Sequence, residues 1–124
     1  MTEKLAFLIC SMPAESPGRV VTPLVHALAA RALEAEVEIH FAGPAVRWLV
    51  AGVAEQQYST PAREKSIGDF LRELQREGVM LYVCGMARAQ WVAAGESLVP
   101  GCRHAGATAF VARALDPEWR TLTY

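Results

Sequence analysis

No sign of charge dominates this chain: 12 Lys and Arg stand against 13 Asp and Glu in 124 residues, for a net charge of −1. That balance excludes a strong electrostatic pull toward nucleic acid or an anionic membrane, which needs clustered cations. Long apolar runs are scarce as well. The longest early one, Leu5 to Ile9, is too short for the core of a secretory signal and far too short to span a bilayer. The expected location is therefore the cytoplasm, with no membrane and no nucleic acid among the partners.

Cysteine is sparse: 3 residues at wide spacing, Cys10, Cys84 and Cys102. An odd, scattered set makes no disulfide framework, so each thiol is read singly and as reduced. Phosphate-binding glycine loops are also missing. The segment after the first apolar run, Ser11 to Gly18, has one glycine and two prolines, which fits neither a dinucleotide fingerprint nor a Walker loop. A Gly-x-Ser-x-Gly elbow is absent, which removes the usual serine hydrolase. Cys102 and His104 have the look of a metal pair but lack third and fourth ligands at a zinc-like spacing, and His26 and His40 fall in a helix and a strand. No metal and no cofactor are expected.

What remains is a folded, well-mixed composition, 52% hydrophobic and 20% charged, of a size for one domain over residues 1–124. The chain is organised around Val79 to Met86, Val-Met-Leu-Tyr-Val-Cys-Gly-Met. This apolar run follows Gly78 and reads as a strand buried on both faces, with the Cys84 thiol at its carboxyl end and a helix from about Met86 to Ala94 behind it. In open parallel sheets, ligands bind at the carboxyl ends of strands, where loops meet helix amino-termini. A thiol there is chemically useful, because such surroundings raise the thiolate fraction near neutral pH. A buried structural cysteine at the same place stays an open reading.

The remaining segments alternate strand and helix. Lys4 to Cys10 reads as a first strand, and Val20, Val21, Leu24, Val25, Leu28, Ala32 and Leu33 mark one face of a helix that starts at Ser16-Pro17 or Thr22-Pro23. Val37, Ile39 and Phe41 make a second strand closed by Gly43-Pro44. A short helix over Val46 to Val53 and a polar loop from Gln56 to Glu64 come next. Ser66 and Asp69 have the spacing of a capping box ahead of Ile67, Phe70, Leu71 and Leu74, and Gly78 ends that helix. After Cys84 come breaks at Gly95, Pro100 and Gly101, a helix Ala107 to Leu115, and a last strand near Trp119 to Thr123. Strands separated by helices need crossover connections. The fold class is therefore α/β: a three-layer α/β/α arrangement with a mostly parallel sheet of four or five strands.

In this order the segments Pro23 to Glu34, Val37 to Phe41, Ile67 to Leu74, the run Gly-Val-x-x-Tyr-x-Cys-Gly-Met from Gly78, and Gly106 to Leu115 resemble the DsrE/DsrF-like family of small sulfur-relay proteins. The resemblance implies a five-stranded parallel sheet, assembly into trimers, tetramers or hexamers, and a cysteine that accepts sulfane sulfur as a persulfide, which by position is Cys84. On that reading the chain is a sulfur carrier of the sulfurtransferase kind, with Gly85 and Met86 contributing backbone amides to the bound sulfur and with donor and acceptor proteins as partners. Arg88 and His104 are lesser candidates for added positive charge. Two other readings are kept: a non-catalytic oligomeric binding module, and a thiol redox sensor or peroxidase-like protein that uses Cys84 with Cys10 or Cys102 as resolving thiol.

Overall fold

Alternating apolar residues draw out the strands. The computed structural model describes residues 2–124. In chain order it comprises β1 (Lys4–Ile9), α1 (Pro17–Ala32), β2 (Glu36–Phe41), 3₁₀ segments at Gly43–Leu49 and Ala54–Gln56, α2 (Ile67–Arg76), β3 (Met80–Val83), α3 (Gly85–Trp91), β4 (Arg103–His104), α4 (Ala107–Leu115) and β5 (Trp119–Thr123). The sheet order is β4-β3-β2-β1-β5, and every neighbouring pair runs parallel.

Register divides the sheet into two unlike faces. Partners across parallel strands point the same way, so Phe7, Ile39 and Leu81 share one face, as do Ile9, Phe41 and Val83. Each of these side chains is fully buried. They pack with Val20, Leu24 and Ala27 of α1 and Leu71 and Leu74 of α2 into one core. The opposite face carries Leu8, Glu38, His40 and Tyr82 and is covered by α4, which packs on β5 and β1. Right-handed crossovers explain the division. The steps β1 to β2, β2 to β3 and β3 to β4 move one way across the sheet and place their helices on one side; the return to β5 places α4 on the other.

Local signals account for most boundaries. Ser66 and Asp69 form the full reciprocal capping box of α2. At the other end Gly78 adopts φ 86°, and the amides of Gly78 and Val79 close on the carbonyls of Gln75 and Leu74, a Schellman stop. Helix α1 starts at Ser16-Pro17, and Pro23 lies inside it. The expected helix over Val46 to Val53 is instead the 3₁₀ segment Gly43–Leu49, because Val50 turns extended and bridges Leu98. Helix α3 is shorter than its apolar pattern suggests. It ends at Trp91, where Val92 turns extended. Strand β3 is buried through Leu81 and Val83 but half-buried through Met80 and Tyr82, since a single helix covers that face.

Candidate functional site

The site is built at the carboxyl end of β3. The Cys84 amide donates to the Phe41 carbonyl at 3.0 Å, which extends the β2–β3 ladder by one step and fixes the residue in space. Its backbone is still extended, and it is the residue from which α3 starts. Alternation along the strand puts Val83 on the apolar core side, so Cys84 falls on the side of Tyr82, His40 and Leu8.

On that side lies a cavity of about 240 Å³, walled by Leu8, Phe41, Phe110 and Val111 together with His40 and Cys84. Its remaining walls are alanine and glycine, so His40 and Cys84 are the lining residues with polar or ionisable side chains. Cys84 also borders a shallower groove with Gly85, Met86, His104 and Gly106. The thiol is half-buried between an apolar chamber and an open approach. Met86 stands 79% exposed at the rim of that approach. A Cβ added at Gly85 would meet nothing within 4 Å, so the backbone there is open to a visitor.

His40 belongs to a buried polar network. It is 4% exposed, and its Nε2 lies 2.9 Å from Glu38 Oε1. Because a carboxylate can only accept, Nε2 carries the proton in this contact. Arg113 of α4 donates to the same carboxylate, Nε to Oε1 at 2.7 Å and Nη2 to Oε2 at 3.2 Å. Burial opposes the charged form of Glu38, but the hydrogen bonds from His40 and Arg113 outweigh it and hold the carboxyl below its usual range. The imidazole stacks on Tyr82 at 4.9 Å and meets the edge of Phe110 at 5.3 Å. Among the described residues, its Nδ1 is buried without a hydrogen-bond partner.

The structure brings Cys84, Gly85, Met86 and His104 together around the groove. Arg88 donates to His104 Nε2 at 2.6 Å, so these two form a pair beside it. Cys10 is held elsewhere, its thiol 3.6 Å from the Tyr124 carbonyl. Cys102 packs against the core, and burial pushes its thiol up. Among the described residues, no group of three or more His, Cys, Asp or Glu side chains could hold a metal ion. Likewise, no helix is long and apolar enough to cross a membrane. Sequence reasoning placed the thiol, weighed His40 only as a metal ligand, and passed over Glu38 and Arg113. The available signal was Glu36, Glu38 and His40 at alternate positions of a strand that is central in a parallel sheet, where both faces are normally covered.

The model of the DsrE/DsrF-like family matches residues 3–124. No curated protein matches the chain. Among solved structures, the YchN protein of E. coli superposes with a TM-score of 0.74 at 17% identity, covering 100% of both chains. A protein of unknown function from Methanobacterium thermoautotrophicum, MTH1491, superposes with a TM-score of 0.68 at 17% identity, covering 98% of this chain and 99% of its own. At that identity the likeness is one of fold.

Proposed function

This chain belongs to the DsrE/DsrF-like family, and from that premise we propose that it is a sulfur carrier holding sulfane sulfur as a persulfide on Cys84. The observation that carries the reading is the position of the thiol, half-buried at the end of β3 between an apolar cavity and an open groove. A relay cysteine needs both surroundings. The open side admits a donor or acceptor cysteine, and the apolar side keeps a reactive outer sulfur away from water and reductants.

In the first half-reaction the Cys84 thiolate attacks the outer sulfur of a donor persulfide. The new S–S bond forms at Cys84 as the donor's S–S bond breaks, and the donor leaves as a thiolate. An acceptor thiolate takes the sulfur by the same exchange in reverse. Gly85 and Met86 present amides that precede the first bond of α3, Arg88 N–H to Cys84 O, and on this reading these amides, left without intrahelical partners, donate to the developing anion. His104 lines the approach, Arg88 pairs with it from the neighbouring groove, and neither lines the cavity.

The partners on this reading are sulfur donor and acceptor proteins in the cytoplasm. Homo-oligomerisation is part of the same proposal, and it is supported by α4, where Val111 is 49% and Leu115 80% exposed. The test is intact-mass spectrometry of the reduced protein after incubation with a persulfide donor, beside Cys84→Ser. A gain of one sulfur, reversed by reductant and absent from the variant, is the expected result. An equal gain in Cys84→Ser overturns it by moving the sulfur to Cys10 or Cys102, and no gain in the native protein overturns it in favour of the non-catalytic binding module.

A further inference from the structure

We infer that His40 is the proton acceptor for the Cys84 thiol, oriented by Glu38 and Arg113, so that the site is a cysteine–histidine–carboxylate line rather than a lone cysteine. The inference rests on the carrier reading for its biological purpose, but it is a statement about the thiol itself. Three observations support it. First, His40 and Cys84 border one cavity whose other walls are apolar. His40 is level with Tyr82 in the ladder, and Cys84 lies two residues further along the neighbouring strand on the same face. That diagonal is roughly 8 Å between backbones, from about 3.3 Å per residue along a strand and about 4.8 Å between strands. An imidazole and a thiol reaching into the shared space can close such a gap.

Second, the tautomer is set. Nε2 carries its proton toward Glu38, which leaves Nδ1 of the neutral ring with a lone pair and no partner among the described residues. A buried basic nitrogen without a partner is costly, and a role in proton transfer is one reason for such an atom to be kept. Third, the charge that proton transfer creates is provided for. An imidazolium formed at His40 stands against the Glu38 carboxylate, which Arg113 clamps through two donors. This is the logic of a nucleophile, a base and an orienting group.

The step balances without any further reactant. The Cys84 S–H bond breaks and its proton goes to Nδ1, giving a thiolate and an imidazolium. The thiolate takes the outer sulfur of the donor persulfide, and the imidazolium returns its proton to the departing donor thiolate. Besides Cys84, the ionisable groups facing His40 are Glu38 on its own strand, Tyr82 on β3 and Arg113 on α4. Arg103 of β4 sits one strand beyond, level with Tyr82. Glu38 and Arg113 are positioning residues, since they act through the imidazole.

The test is site-resolved alkylation of Cys84 by iodoacetamide across pH, in the native protein, His40→Gln and Glu38→Gln. The expected result is a loss of about threefold or more in rate at neutral pH in His40→Gln, with the rise of its profile displaced to higher pH. The loss is smaller than the change in thiolate fraction because a less basic thiolate is also a weaker nucleophile. A network that merely holds α4 in place would lower stability and leave the profile where it is, and superimposable profiles overturn the inference. If His40→Gln does not fold, the His40 imidazole is titrated by nitrogen NMR in the native protein and in Cys84→Ser. Coupling requires its curve to move when the thiol is replaced; identical curves overturn the inference. Failure is separable from failure of the carrier reading. Sulfur uptake with unchanged alkylation removes the histidine, and altered alkylation without sulfur uptake removes the carrier.

Discussion

Arg113 and Glu38 are 75 residues apart in sequence and joined by two hydrogen bonds, at 2.7 and 3.2 Å. This contact is the main polar tie between α4 and the sheet. The helix itself contributes no fully buried residue, so its docking relies on Phe110 against His40 and on Arg113, whose guanidinium also lies 4.1 Å from the Trp119 ring centroid. Arg113→Met removes both donors from a buried carboxylate. The expected loss is about 1–3 kcal/mol in urea denaturation, the cost of a buried acceptor left short of partners. Hydrogen exchange should quicken in α4 and leave α1 and α2 as they were.

Two glycines give opposite outcomes for one chemical change. A Cβ at Gly68 would stand 2.9 Å from the Glu55 backbone nitrogen and 3.0 Å from its Cα, where α2 packs on the Ala54–Gln56 segment. Gly68→Ala is expected to lower stability by about 1–3 kcal/mol through overpacking, read as a fall in Tm. At Gly85 the added methyl meets nothing. Gly85→Ala should keep the native Tm and the native alkylation rate of Cys84, yet slow sulfur loading from a protein donor that must approach the backbone closely. Unchanged loading would remove Gly85 from the docking surface.

The Glu96 carboxyl is drawn down from its ordinary 4.5 to about 2 by the hydrogen bonds from Arg47 and then by the Ala93 amide. Arg47 also donates to the Trp91 carbonyl, so this pair anchors the end of α3 and the loop behind it. The sign follows from a lowered folded-state value: the contribution is complete above about 4.5 and is lost as pH falls toward about 2. The stability difference between the native protein and Glu96→Gln should therefore narrow over that range. A difference independent of pH would contradict the assignment.

Ser66→Ala deletes one half of the capping box of α2 and is expected to cost about 1 kcal/mol. For a domain of this length that corresponds to a drop of about 3–5 °C in Tm. Asp69→Asn, which keeps a side-chain acceptor for the Ser66 amide, should cost less than Ser66→Ala; the reverse order would assign the cap to charge rather than to hydrogen bonding.

Much of this architecture was legible in the residues. Alternation at Val37, Ile39 and Phe41, the capping box at Ser66 and the glycine at 78 each carry a local cause that tertiary packing did not override, and they place Cys84 at the end of its strand. What stayed hidden depends on partners distant in sequence. Strand β4 is two exposed residues, Arg103 and His104, which pair with Tyr82 and Val83 and have no apolar pattern of their own. The role of His40 was hidden for a related reason. Glu36, Glu38 and His40 alternate with apolar residues exactly as a solvent-facing side would, and only the return of α4 across that side turns Glu38 and His40 inward.

Strand order also has a consequence for synthesis. From Cys84 to the last residue of β5, Thr123, the chain adds 39 residues (123 − 84), which at about 5–20 residues per second takes roughly 2–8 s on the ribosome. Until β5 arrives, β1 is the margin of the sheet, with the apolar sequence Lys-Leu-Ala-Phe-Leu-Ile unpaired along one side. Until α4 arrives, the thiol has no roof. The nascent chain thus passes through an interval in which an apolar strand and the Cys84 thiol are uncovered together, and a ribosome pause just after Cys84 would lengthen it.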